Sequence, residues 1–173
     1  SMLLVFLNIQ DREISQDSLT GLNNRATLDR YLQSLFDSEK KNQISLIIFD
    51  MNSFKSINDN YGHLNGDEAL IQFASIMKLS FNGTNFFLAR YGGDEFVAIL
   101  RDVDATRTQM EITRIKNALL NFNTTKKFEF SLSVSAGYCM YPAENIISPQ
   151  QLIEAADEKM YIEKQEYHRQ HIA

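Results

Sequence analysis

The chain is poor in cysteine, proline, glycine and long apolar runs, and each shortage excludes a class of protein. A single cysteine, Cys139, allows no internal disulfide and is expected to be a small buried hydrophobe in a reducing compartment. Two prolines and seven glycines exclude collagen-like and low-complexity chains. No apolar run reaches the roughly 20 residues that a membrane-spanning helix needs. The 173 residues therefore predict one ordinary globular domain.

Positive charge is also scarce, because 17 Lys and Arg residues oppose 22 Asp and Glu residues and the formal net charge is −5. A general nucleic-acid binder needs a basic surplus to displace counterions from phosphates, so we expect no nucleic-acid partner. A small phosphate-bearing ligand remains compatible with this charge, since a metal ion and one or two lysines neutralise it locally.

The spacing of apolar residues predicts helices that alternate with strands. Helices are expected over residues 5–16, from a cap at Asn24 to residue 36, from 65 to 77, over 104–122, and from a capping box at Ser148 to about residue 167. Strands are expected over residues 44–50, 86–91, 94–100 and 128–138, with Gly92 and Gly93 as the two turn residues of a hairpin. Residues 52–63 are expected to form a loop.

This order of elements predicts an α/β (α+β) fold with a mixed central sheet. Its β-α-β-β-α-β core resembles the ferredoxin-like layout, wrapped by helices. Residues 2–7 are apolar without basic flanks, which excludes a signal peptide. We expect residues 1–16 to be a lead-in, the remnant of an upstream signalling segment, and residues 17–173 to form the functional domain.

Two acidic positions indicate where chemistry is located. Asp50 ends an apolar strand, and Asp94 and Glu95 begin another strand directly after Gly93. Carboxylates that converge at a sheet rim make an all-oxygen site that suits Mg²⁺. The plainer alternative is that Asp50 caps the following segment and Asp94 is a solvated turn residue.

The stretch between these acids offers groups that bind a nucleotide. A segment between a strand and a helix presents backbone N–H groups to phosphate, with Lys55 as a point charge. The amide of Asn58 and the carboxylate of Asp67 are able to read the edge of a base. The alternatives are turn and capping chemistry for Asn58 and Asp67, and a packed ring rather than a substrate contact for His63.

Longer motifs make a specific resemblance. Residues 91–96 read YGGDEF, which resembles the signature of the GGDEF domain of diguanylate cyclases. The remaining family motifs are matched in order by DSLTGLNNR (residues 17–25), DMNSFK with ND, GH and GD (50–67), SVSAG (133–137), and AD, MY and Lys164 (156–164). The resemblance therefore spans residues 17–164.

The resemblance implies a diguanylate cyclase that condenses two GTP into cyclic di-GMP and releases two pyrophosphates. It implies Mg²⁺, with Mn²⁺ as an alternative, and a sheet related to nucleotide cyclase and polymerase palm folds. The family pairs two domains face to face, because each site handles one GTP. We expect a cytoplasmic domain that follows an upstream sensor absent from this sequence, and the apolar start suggests that the parent protein is anchored in the membrane.

The resemblance also implies a role for each matching residue. The metal would be held by Asp50, the backbone carbonyl of Met51, and Asp94. The catalytic residues would be Asp94, Lys55 and Glu95, with Asp94 taking the proton of the 3′-hydroxyl. The substrate-binding residues would be Phe54, Asn58, His63, Asp67 and Lys164, with Asn58 and Asp67 reading guanine and Lys164 reaching the phosphates.

Departures from the family pattern leave two alternatives. Asn52 stands where many members have a second Asp. His168 stands four residues after Lys164, where the family usually has a phosphate-contacting Arg, and Arg169 is one position off. One alternative is therefore a weak or inactive GTP-binding regulatory module. A cyclase that makes a mixed dinucleotide is disfavoured because Asp67 retains the residue expected for guanine.

The family's inhibitory R-x-x-D motif should occupy residues 83–86, which read GTNF. Without the arginine and aspartate, we expect that high cyclic di-GMP does not inhibit through that surface. Titration of product into the protein tests this. Tight product binding that survives Asp67→Ala would contradict it.

Overall fold

The computed structural model of the protein is a four-stranded sheet that carries helices on both faces. It describes residue 2 and residues 14–40, 42–81 and 85–171. The strands are β1 (Ile44–Met51), β2 (Phe86–Gly92), β3 (Glu95–Arg101) and β4 (Val134–Tyr141). The helices in these ranges are α1 (Arg25–Asp37), α2 (Phe54–Tyr61), α3 (His63–Ser80), α4 (Ala105–Thr124) and α5 (Pro149–His171).

The strand order is β2-β3-β1-β4, and each of these three pairings is antiparallel. Each helical crossover, from β1 to β2 and from β3 to β4, leads to a strand that is parallel to the one it left and lies two places away in the sheet. The intervening place is filled by a strand of the opposite direction. The predicted fold class and its β-α-β-β-α-β core are confirmed. In the described residues, however, the named strands are antiparallel rather than mixed in direction.

Strand β1 is buried along its whole length and divides the core in two. Its residues 44, 46 and 48 pack with α1 and α5, whereas residues 47, 49 and 51 pack with α3 and α4. Successive side chains of a strand point to opposite faces. Asp50 continues the first series and therefore faces α5.

Two predicted helix caps are confirmed. The side chain of Asn24 accepts a hydrogen bond from the Thr27 N–H at 2.9 Å and begins α1. At the start of α5, Ser148 Oγ accepts from the Gln151 N–H at 3.2 Å, and Gln151 Oε1 accepts from the Ile147 N–H at 2.8 Å. This reciprocal pair is a capping box in which the Gln151 side chain bonds to the residue before the N-cap rather than to the N-cap itself.

The predicted loop over residues 52–63 is wrong, because residues 54–61 form α2. This helix has eight residues and contains Ser, Asn and Asp, which are weak helix formers, so its sequence carries little helical signal. It is stabilised by tertiary packing instead. Ile57 is buried in the core, and the ring of Phe54 packs against the same cluster.

The predicted strand over residues 128–138 begins too early. Strand β4 begins at Val134 because its partner β1 ends at Met51, which pairs with Val134. Before that point, the rings of Phe128 and Phe130 stack on each other with centroids 4.8 Å apart. The alternating aromatic residues thus pack together outside the sheet.

The hairpin turn is displaced by one residue from the prediction. Gly92 pairs with Glu95 as the last residue of β2, so the turn consists of Gly93 and Asp94. Of the two glycines only Gly93 has a positive φ, of 46°. The register shifts between Arg90 and Gly92, which is typical of a bulge. Asp94 consequently lies in the turn rather than in β3.

Three further expectations have different outcomes. Most of the predicted helix over residues 5–16 lies outside the described residues. Of its described part, residues 14 and 15 are helical. Cys139 is half-buried rather than buried, and burial raises the pKa of its thiol. Within the described ranges, no helix combines the length and apolarity needed to cross a membrane.

Helix α5 lies unusually close to β4 at Gly137. A Cβ on Gly137 would stand 2.1 Å from the Met160 nitrogen and 2.4 Å from the Ala156 carbonyl oxygen. The Glu163 carboxylate adds a second tie, because it accepts a hydrogen bond from the Ala136 N–H and pairs with Lys116 Nζ of α4. Together these contacts determine how far α5 stands from the sheet.

Substitution Gly137→Ala should force α5 away from β4, since the atoms that obstruct the new methyl group belong to the backbone. We expect the free energy of unfolding to fall by about 1–3 kcal/mol, the usual cost of overpacking. Chemical denaturation measures this loss. Gly92→Ala is the control, because a Cβ there would meet no atom within 4 Å. An equal effect of the two variants would contradict the prediction.

Candidate active site

A cleft of about 780 Å³ opens between the end of β1 and the C-terminal half of α5. Its walls combine acidic side chains from the sheet with basic and aromatic side chains from the helix. The lining residues are Asp50, Glu95, Asp157, Met160, Tyr161, Lys164, Gln165, His168 and Arg169.

The sheet register brings the two predicted acidic positions together. Asp50 of β1 lies directly opposite Glu95 of β3, and residues paired in this way present their side chains on the same face. On its other side Asp50 pairs with Ser135 of β4. Asp50 is only 5% exposed, although it carries a charge. Its burial requires a compensating group.

Lys164 supplies that compensation. Its Nζ donates to Asp50 Oδ1 at 2.5 Å, and the Lys164 side chain is itself only 25% exposed. Burial nevertheless raises the pKa of Asp50 above its ordinary value, and the charges of Asp94 and Asp157 act in the same direction. One ammonium group therefore does not balance the negative charge in this cleft.

Glu95 experiences the same excess of negative charge. Burial raises the pKa of Glu95, and the nearby charges of Asp50, Asp157 and Asp94 raise it further, while Lys164 opposes them. The four carboxylates thus repel one another across the rim of the sheet.

This donor set fits a divalent cation. The oxygens of Asp50, Asp94 and Glu95 are hard ligands, and a cation would offset the burial and the repulsion that together raise the pKa values of Asp50 and Glu95. Within residues 14–40, 42–81 and 85–171, no three His, Cys, Asp or Glu side chains form a complete metal centre by themselves. Mg²⁺ does not require one, because it usually keeps several waters and shares substrate phosphate oxygens.

The turn that carries Asp94 is held from two sides. The backbone carbonyl of Asp94 accepts a hydrogen bond from the Met51 N–H at 3.1 Å, which ties the turn to the end of β1. The carbonyl of Gly93 accepts two hydrogen bonds from the Arg90 guanidinium, at 2.7 and 3.0 Å. Asp94 and Met51, both predicted metal ligands, are thereby brought together.

Arg90 connects this turn to the beginning of the domain. Its Nη1 lies 3.1 Å from Asp17 Oδ1. Asp17 also accepts hydrogen bonds from the N–H and hydroxyl of Thr20. Burial would raise the pKa of Asp17, but the bonds from Thr20 and the charge of Arg90 outweigh it and hold this pKa below its ordinary value.

The remaining predicted substrate residues form a second group on α2 and α3. Lys55, His63 and Asp67 are exposed, whereas Phe54 and Asn58 are half-buried. The Asn58 side chain lies against Gly66, the residue before Asp67. This group adjoins the first through the chain, since α2 begins three residues after the end of β1.

The sequence analysis gave no individual role to two residues of the cleft wall, Asp157 and Tyr161. With Lys164 and His168 they are spaced three or four residues apart along α5. That helical spacing is a signal in the sequence, but it marks a face only once Lys164 is known to point to Asp50. Arg169 also lines the cleft and pairs with the exposed Glu166.

Asn52 has a clear structural role at the end of β1. Its Oδ1 accepts a hydrogen bond from the Ser135 hydroxyl at 2.7 Å, and its Nδ2 donates to the Ser133 hydroxyl at 3.1 Å. An aspartate could not donate the second bond. Asn52 thus links β1 to β4, and its amide is not among the residues that line the cleft.

The position of the predicted missing inhibitory motif is only partly described. Gly83 and Thr84 lie outside the described residues. Asn85 donates to Asp102 at 3.4 Å, and Phe86 begins β2.

Comparisons with known proteins agree with the predicted resemblance. A family model described as "Diguanylate cyclase, GGDEF domain" matches residues 14–170. The diguanylate cyclase DgcS of Shewanella oneidensis is 38% identical over 152 residues, which are 84% of this chain and 48% of that protein. An uncharacterized membrane protein of Staphylococcus epidermidis is 30% identical over 164 residues, 92% of this chain and 46% of that protein.

A solved structure shares the fold. The coiled coil and GGDEF domain of DgcB from Caulobacter crescentus, in complex with c-di-GMP, matches with a TM-score of 0.84 and 26% identity. The match covers 95% of this chain and 87% of that one. The chain spans less than half the length of either of the two curated relatives above.

Burial and the neighbouring carboxylates raise the pKa of Glu95, which predicts a pH-dependent gain in stability from Glu95→Gln. A carboxyl with a raised pKa binds its proton more tightly in the folded chain, so the free energy of unfolding falls as pH rises through that range. Removing the charge should therefore raise Tm by about 2 °C at pH 8 without divalent cations, and the gain should vanish near pH 4. Thermal unfolding measures it, with the exposed Glu39→Gln as control. A lower Tm at pH 8 would contradict the argument.

Proposed function

The chain belongs to the GGDEF domain family, and from this we propose that it is a diguanylate cyclase domain that condenses two GTP into cyclic di-GMP with release of two pyrophosphates. The observation that carries the proposal is the turn that bears Asp94, held beside Asp50 and its Lys164 partner at one rim of the sheet. Nucleotidyl transfer needs mainly positioning and charge neutralisation, which this arrangement offers.

The family requires a divalent metal in general, and Mg²⁺ is the form that we propose, with Mn²⁺ as an alternative. Asp50, the Met51 carbonyl and Asp94 would hold it. When bound, the metal neutralises charge on the triphosphate. The proposal is supported by the excess of buried carboxylate charge that Lys164 leaves uncompensated.

The protein groups then have distinct tasks. Asp94 accepts the proton of the attacking 3′-hydroxyl, which a carboxylate can do without a histidine. Lys55 stabilises charge that develops in the transition state, and Lys164 turns from Asp50 toward the phosphates. Glu95 keeps the rim acidic beside Asp94. Lys164 is near enough for this exchange because it already contacts Asp50.

The base end of the nucleotide would lie at the α2–α3 junction. Asp67 accepts from the N–H groups of guanine, and the amide of Asn58 bonds to its acceptors. Phe54 and His63 line the same site. Adenine presents a different donor and acceptor pattern, so these contacts favour GTP. The exposure of Asp67 and His63 is compatible with such a role.

The phosphate end differs from the family pattern in one respect. His168 occupies the usual arginine position, but His168 and Arg169 both line the cleft that contains Lys164. The cleft therefore keeps basic side chains for the phosphates. The missing arginine at 168 is also the observation that favours the second candidate, a GTP-binding regulatory module without turnover.

Ring closure requires two copies. Each domain holds one GTP, and each 3′-hydroxyl attacks the nucleotide of the other domain, so a monomer binds substrate without forming product. The GGDEF family acts as a dimer. A membrane-anchored parent with an upstream sensor stays a prediction from the sequence.

Product formation tests the proposal. Concentrated protein is incubated with GTP and Mg²⁺, and the nucleotides are separated by chromatography. We expect cyclic di-GMP from the wild type, and a loss of about 10²–10⁴-fold for Asp94→Ala, since the variant lacks both the base and a metal ligand. Asp29→Ala, an exposed acid of α1, is the control and should retain activity.

A monomeric sample would give no product for a reason unrelated to the site. The assay is therefore repeated with a dimerising coiled coil fused before residue 14. Product from the fused dimer supports the cyclase. If the fused dimer binds GTP but forms no cyclic di-GMP, the cyclase proposal is wrong and the regulatory module takes its place.

A further inference from the structure

Gly66, a buried residue near the start of α3, lies against the side chain of Asn58. A Cβ on Gly66 would stand 1.9 Å from Asn58 Oδ1, 3.0 Å from its Cγ and 3.4 Å from Cζ of Phe54. No Cβ approaches an oxygen so closely, so only glycine is compatible with the observed position of this amide. The backbone itself makes no such demand, because Gly66 is helical and its φ is not left-handed.

Packing rather than hydrogen bonding orients the Asn58 amide. Among the described residues, the side chain of Asn58 forms no hydrogen bond or ion pair, although it is half-buried. Its backbone carbonyl accepts a hydrogen bond from the Gly62 N–H at 2.9 Å. Within the part of the chain that the structure describes, the Nδ2 donors of the amide have no partner and remain available to a ligand, while the contact of Oδ1 with the bare surface at Gly66 determines where the amide lies.

We infer that Gly66 is a positioning residue for recognition of the guanine base. Its missing side chain lets the Asn58 amide lie against α3, one residue before Asp67 in the chain. The inference rests on the proposed function, because it concerns the base end of the same nucleotide site. It adds a residue that touches no substrate but determines how one recognising group is presented.

The obstruction predicts that stability and recognition respond differently. In most helices Gly→Ala raises stability, because the alanine chain loses less conformational entropy on folding. Here the obstructing atoms are the end of a side chain, which can rotate away at little cost to the fold. Gly137 is the contrasting case, since backbone atoms obstruct it. Gly66→Ala should therefore displace Asn58 and leave the domain folded.

The first experiment measures binding of GTP and ATP with Mg²⁺ by calorimetry, together with Tm. For Gly66→Ala we expect an unchanged or higher Tm, about a tenfold loss of GTP affinity, and a smaller preference for GTP over ATP. The control is Ser75→Ala, an exposed position of the same helix, which should behave as wild type. If Gly66→Ala binds GTP as tightly as wild type and keeps the same preference for GTP over ATP, the inference is wrong. It is also wrong if the Gly66→Ala protein is unfolded.

A double-mutant cycle identifies the route. If Gly66 acts only through Asn58, then adding Gly66→Ala to Asn58→Ala should cause no further loss of GTP affinity. A further loss as large as in the wild-type background would overturn the inference, because Gly66 would then act on another group.

A spectroscopic measurement separates this inference from the proposed function. The side-chain amide signal of Asn58 in a nitrogen–proton correlation spectrum should shift in Gly66→Ala and not in Ser75→Ala. An unshifted signal overturns the positioning role even if GTP binds. If wild-type protein binds no GTP, the proposed function and the base recognition fail together, and a shifted signal supports only the positioning of Asn58.

Discussion

The close approach of α5 to β4 at Gly137 is the contact on which the candidate site depends. One wall of the cleft belongs to the sheet, and the other belongs to α5. Lys164 reaches Asp50 only because the helix backbone stands against the strand without an intervening side chain. Glu163 adds a tie from α5 to β4 and to Lys116 of α4. A larger residue at Gly137 would separate acid from base before any residue of the cleft were changed.

That approach brings more negative than positive charge to one rim. Asp50 and Glu95 are forced together by the β1–β3 register, and Asp157 comes with the helix. Lys164 offsets part of the repulsion, and burial with the remaining charge still raises both carboxyl pKa values from the sheet. Such an excess of buried carboxylate charge is typical of a site that binds a cation.

The two ends of the site are held in different ways. Around Asp94 the turn is secured by hydrogen bonds, from Met51 and from Arg90, which is itself anchored by Asp17. At the other end the Asn58 side chain packs against Gly66, and it forms no hydrogen bond with any residue that the structure describes. Hydrogen bonds suit the end at which a charged group, Asp94, must be held in a fixed position. Packing suits the end at which the proposed function needs polar groups that stay available for a ligand.

The sequence by itself determined the fold class, the capped helices, the buried run of β1 and the family, because these depend on local periodicity, capping chemistry and contiguous motifs. It did not predict α2, the start of β4 or the turn at Asp94. Those depend on partners distant in the chain: α2 on its packing, β4 on where β1 ends, and the turn on a register shift. The cleft wall on α5 and the contact between Gly66 and Asn58 were likewise decided only by tertiary packing. Spacing tells which residues share a face, but only packing tells what that face meets.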